Sequence, residues 1–169
     1  MVRLFHVSEE PGIRRFEPRP NYRVAGEMVW AVDEAHLANF LTPRACPRIT
    51  FWRAAETTAS DADLFLRGAQ RVVAFEAAWL ERVRRCVLQV YELPPSGFEP
   101  ELAEAGYWIS REAVEPIGVE VVGDAMAALV AAGAEVRILQ SFWPLSDAVA
   151  RSSLGFSIIH KERAAPRAG

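Results

Sequence analysis

Short β-type runs, each cut off after a few residues by a polar or proline turn, constrain this chain most. Residues 2–7 form one such run, with His6 near its end, and it breaks into Ser8-Glu9-Glu10-Pro11-Gly12. Residues 28–32, Met-Val-Trp-Ala-Val, form another and break into Asp33-Glu34-Ala35-His36. β-Branched and aromatic side chains suit a pleated, half-buried surface. Strands that end in polar turns can wall a site, because functional side chains concentrate in loops held by a rigid scaffold.

The same punctuation runs along the whole chain. Further strands are expected at 49–52, 71–76, 86–93, 106–110, 135–139 and 155–159. Residues 11–27 and 96–105 read as loops, the first rich in Pro and Gly. Asp33 is a suitable N-cap for a helix over 34–41, with Leu37, Phe40 and Leu41 on one apolar face. Ser60 is the expected cap of a helix over 61–68, with Leu64 and Phe65 inward. Asp124 opens an Ala-rich helix that Gly133 closes, and a last helix spans 145–153. Strands cluster in the middle of the chain, so the fold class expected is α+β. A mixed, mainly antiparallel central sheet with short flanking helices is the architecture. Residues 1–160 read as a single globular domain and 161–169 as a flexible tail.

Bulk composition narrows the function classes. With 51% hydrophobic and 24% charged residues, the chain has ordinary globular make-up. A net charge of −3 lacks the basic excess of a general nucleic-acid binder. The N-terminus has no basic-then-apolar leader pattern, and the apolar run at 125–132 falls short of the ~20 residues that span a bilayer. Cytoplasmic residence and no membrane partner are the expectations. Two cysteines, Cys46 and Cys86, make no disulfide framework.

His6 is the first candidate for chemistry, since imidazole serves proton transfer and hydroxyl or phosphate binding near neutral pH. Ser8 and Arg19 follow it in turn-rich sequence. Asp33 and His36 stand three apart and can face one opening, although capping alone accounts for Asp33. Trp30 and Tyr107 are aromatic surfaces for stacking. His6, His36, Cys46, Cys86 and His160 show none of the close pairings of a zinc site, so no metal is expected. Asp147 and Arg151, four apart, are spaced to pair on one helix face.

The strings LFHVSEEPGIRRFEPRP, VWAVDEAHLANFLTPRACPRITFW, YWISREAV and WPLSDAVARSSLGFSIIH resemble an uncharacterised bacterial family of similar length, nearly end to end. More distantly, the chain resembles the ADP-ribosyltransferase-like fold, including RNA 2′-phosphotransferases. His6 matches the histidine of that fold's first strand. Residues 29–40 match its second strand running into a helix, and Tyr107 to Ser110 its third. The resemblance implies NAD as a cofactor. It assigns the ribose to His6, nicotinamide stacking to Tyr107, and catalysis to a carboxylate at Glu104 or Glu112. Ser8, Arg19, Trp30, His36 and Ser110 would line the ligand. Two readings stay open: ADP-ribosyl-type transfer, or a non-catalytic domain that binds a small nucleotide-like ligand or a protein.

Overall fold

Strand β1 (Leu4–Ser8) lies between two antiparallel neighbours, β3 (Glu27–Asp33) and β6 (Leu88–Leu93). Around them the computed structural model, which describes residues 2–21 and 25–167, adds β2 (Arg19–Pro20), β7 (Glu99–Leu102), β8 (Tyr107–Ser110) and β9 (Gly118–Val122). The sheet order is β7-β8-β3-β1-β6-β9, with β2 on β3. This sheet belongs to one compact unit, Met1–Leu37 with Val87–Gly123. Side chains alternate across it. Leu4, Val29, Ala31, Tyr91 and Leu93 bury one face, packed with Phe16 and Val114. Phe16 and Val114 exchange two backbone hydrogen bonds of 2.8 and 2.9 Å. Tyr91 pins the loop above them: its hydroxyl accepts from the Ile13 amide at 3.0 Å and donates to the Glu10 carbonyl at 2.9 Å.

The second unit, Ala38–Cys86 with Asp124–Gly169, is built on β4 (Arg48–Trp52), β5 (Arg71–Glu76), β10 (Ala134–Leu139) and β11 (Gly155–Ile159), in the order β10-β5-β4-β11. Only the β5–β10 pairing is parallel. Ile49, Phe51, Val72 and Ala74 form its apolar face, covered by Leu66, Phe142, Val149 and Leu154. The helices are short: α1 (Ala59–Asp61), α2 (Leu80–Arg85), α3 (Ala125–Ala131) and α4 (Trp143–Ala150). The class is therefore α+β and mainly antiparallel, as expected, with the strands divided between two sheets. Among the described residues no helix is long and apolar enough to cross a membrane.

Several local expectations are corrected. The helix after Asp33 is a 3-10 helix, Glu34–Phe40, and it buries Ala38 and Asn39 while Leu37 and Phe40 are half-buried. Three residues per turn rotate the buried stripe away from the one a 3.6 period selects. The helix expected at 61–68 is α1 followed by a wide π turn over Ala62–Leu66; it is capped by Thr58 in place of Ser60 and turns Leu64 outward. The loop at 96–105 holds β7, and the loop at 11–27 holds β2. Asp147 pairs with Arg167, at 2.6 and 2.9 Å, and not with Arg151.

Candidate functional site

In the first unit, the β1–β3 ladder runs only over Leu4↔Asp33 and Phe5↔Val32. Beyond it, the His6 ring takes over: Nδ1 lies 2.9 Å from the Trp30 carbonyl oxygen. A carbonyl only accepts, so Nδ1 carries the proton and Nε2 is the lone-pair nitrogen of the neutral ring. The imidazole also lies against Phe16, with ring centroids 4.7 Å apart, and Phe16 meets Tyr91 edge-on at 5.3 Å. Half-buried, the ring is held from two sides.

A second histidine is held as firmly at the end of β3. Asp33 Oδ1 accepts from the His36 backbone amide at 2.9 Å and from His36 Nδ1 at 2.7 Å. One carboxylate oxygen thus caps the 3-10 helix and orients the ring, again with the proton on Nδ1. Gly106 closes over this pair. Its carbonyl accepts from the Asp33 amide at 2.9 Å. A Cβ built on it would stand 2.3 Å from His36 Nδ1 and 2.7 Å from Asp33 Oδ1, and its φ is +71°. Only glycine satisfies both demands.

The remaining expected site residues divide. Strand alternation puts His6 on the face of Leu4, with Asp33 paired opposite Leu4. Trp30 and Tyr107 lie on the other face, where their rings meet edge-on at 5.9 Å. Trp30 Nε1 is buried without a hydrogen-bond partner. Ser8 Oγ accepts from the Glu10 amide at 3.0 Å, and Ser110 Oγ is spent on the backbone of Glu112 at 3.2 Å, so both hydroxyls shape turns. Arg19 is exposed on β2, Glu104 is exposed on the 3-10 turn Ala103–Ala105, and Glu112 is exposed beyond β8. Close by, Arg3 clamps Glu92 at 2.9 and 3.1 Å and also pairs with Glu34. That guanidinium holds the Glu92 carboxyl below the usual carboxylate range.

Two features escaped the sequence reading. In the sequence Gly106 marks only the start of a strand, and a glycine directly before the aromatic run of β8 is the available signal. Phe16, placed in a loop, turns out to be the floor under His6. Cys46 is buried with its thiol pushed up to about 12, because desolvation outweighs the pull of Arg48. Among the described residues no three His, Cys, Asp or Glu side chains gather as a metal ligand set.

No curated protein matches the chain, and no solved structure matches it. The model of a family of unknown function, DUF6886, matches residues 5–164, and the chain belongs to that family.

Proposed function

We propose that the first unit is a binding module for a small, hydroxyl-bearing, nucleotide-like ligand, recognised at His6. The tautomer of His6 carries this reading. With Nδ1–H given to the Trp30 carbonyl, the acceptor nitrogen of the neutral ring is Nε2, the kind of atom to which a hydroxyl such as that of a ribose donates. The Asp33–His36 pair supports it, since a second imidazole fixed in the same tautomer lies on the same strand's end. Buried Cys46 and Cys86, not joined in a disulfide, go with a reducing, cytoplasmic setting.

ADP-ribosyl-type transfer from NAD is the second reading. It is favoured by a histidine near the end of the first strand and weakened by the solvent exposure of Glu104 and Glu112. Transfer needs a carboxylate at the reacting centre to stabilise developing positive charge. Calorimetric titration with NAD separates the readings. The binding reading expects heat, a loss of about tenfold or more in affinity on His6→Ala, and no NAD consumed. Consumption of NAD that falls with Glu104→Gln or Glu112→Gln would establish transfer instead. No heat at millimolar NAD, ADP-ribose or AMP would remove both.

A further inference from the structure

We propose that β9 is a docking edge for a second copy of this chain, pairing antiparallel with the partner's β9 across a two-fold axis. The inference does not rest on the ligand read at His6. The main path of the first unit's sheet has two edges, β7 and β9. An edge strand presents unpaired N–H and C=O groups along one side, and these accept another strand unless the chain defends them.

The two edges are built differently. β7 reads Glu-Pro-Glu-Leu: Pro100 brings no N–H, Glu99 and Glu101 bring charge, and the ladder with β8 shifts register between Pro100 and Leu102. Proline, charge and an irregular ladder all work against edge pairing. β9 reads Gly-Val-Glu-Val-Val, with no proline and with Glu120 as its one charge. Its ladder with β6 is unbroken from Leu88↔Val122 to Glu92↔Gly118. β-Branched side chains dominate it and yet stand in water: Val119 is 57% and Val121 61% exposed, and Ile117, just before the strand, is 65% exposed. A regular, apolar and undefended edge is the kind that takes up a further strand.

The strand's own sequence says which partner fits. Two copies related by a two-fold axis can pair about Val119 or about Glu120. Centring on Glu120 sets two carboxylates directly opposite each other, which is destabilising. Centring on Val119 sets Val119 against Val119, Ile117 against Val121 on both sides, and Glu120 against Gly118, which has no side chain. All three exposed apolar positions then meet apolar partners, and no like charges stand directly opposite. Pro116, without an N–H, ends the run just outside Ile117. The patch is thus complementary to itself, as a two-fold interface has to be.

Sedimentation equilibrium of the full chain tests the pairing. A contact of five residues a copy is small, so the dimer is expected to predominate at about 200 µM chain and the monomer at about 1 µM. Val119→Arg sets two guanidiniums face to face at the axis and is expected to weaken the dimer at least about tenfold, with the circular-dichroism spectrum unchanged. Cysteine cross-linking reads the register and does not depend on that variant folding. Under oxidation Val119→Cys is expected to link two copies, and Glu120→Cys is not, because its opposite number is Gly118; Cys46 and Cys86 are buried and stay out of the reaction. A chain that is monomeric throughout, as expected if β9 stays bare or takes another protein's strand, overturns the proposal. So does a dimer that Val119→Arg leaves intact, or a Glu120→Cys chain that links faster than Val119→Cys.

Discussion

At the scale of single residues, two positions make the strongest claims. Gly106 is locked by φ +71° and by the ring of His36 only 2.3 Å from where a Cβ would sit. Gly133 has nearly the same φ, +76°, with nothing within 4 Å. Gly133→Ala should therefore lose only the left-handed backbone penalty, about 1 kcal/mol. Gly106→Ala should lose about 2–4 kcal/mol, because overpacking against the Asp33–His36 pair is added. Urea unfolding of both variants checks this, and equal losses would refute the packing argument. Cys46 makes a pH prediction. Its thiol is raised from an ordinary value near 9 to about 12, so the folded state holds its proton more tightly than the unfolded one. Stability from this group is complete below pH 9 and declines as pH rises toward 12. Below that window the thiol should resist alkylation in the native protein and react once urea unfolds it, as mass spectrometry would report. Gly106 was visible in the sequence only as a glycine, because the His36 ring that excludes a Cβ comes from a turn seventy residues earlier.

At the scale of elements, the short helices depend on side-chain ties more than on their own length, as expected for segments this brief. Asp124 caps α3 by accepting from the Ala127 amide at 2.9 Å, a role its position before an Ala-rich run announced. The opening of α4 depends on a partner the sequence did not indicate. Glu76, at the end of β5, accepts from the Phe142 amide at 3.1 Å and from the Ala165 amide at 3.0 Å. Glu76→Ala leaves those amides without their acceptor and should destabilise the protein by about 2–4 kcal/mol, measured by denaturant unfolding. Glu76→Gln retains one acceptor oxygen and should lose less. A null effect of Glu76→Ala would mean that water replaces the carboxylate without penalty. The helices at 34–40 and 59–66 show the limit of periodicity. A 3-10 or π turn has three or more than four residues per turn, so an apolar pattern read at 3.6 selects the wrong residues, as it did with Phe40 and Leu64.

At the scale of the whole molecule, each unit is assembled from two separated stretches of chain. Leu4 pairs with Leu93 in one unit and Arg71 with Ala134 in the other. Such distant pairings place folding on the slow, millisecond-to-second side for domains of this size. A chain ending at Gly123 keeps β4 and β5 but lacks β10, β11 and α4, and with them Phe142, Val149 and Leu154 of the core. A two-stranded remnant is marginal in water. Its β4 and β5 amides should exchange without protection in hydrogen-exchange measurements; protection equal to that of the full chain would contradict this picture. By itself, the sequence determined the α+β class, the antiparallel bias, most strand positions and His6 as a residue to watch. Those follow from local rules: period-2 β-rich runs, proline and glycine stops, and a histidine beside a polar turn. The tertiary structure alone decided that there are two sheets, that Trp30 and Tyr107 lie on the face away from His6, and that Glu104 and Glu112 are exposed. It also brought Asn39 onto Arg48 and Arg71. Register and strand order set those outcomes, and a shift of one residue sends a side chain to the opposite face, which no local pattern records.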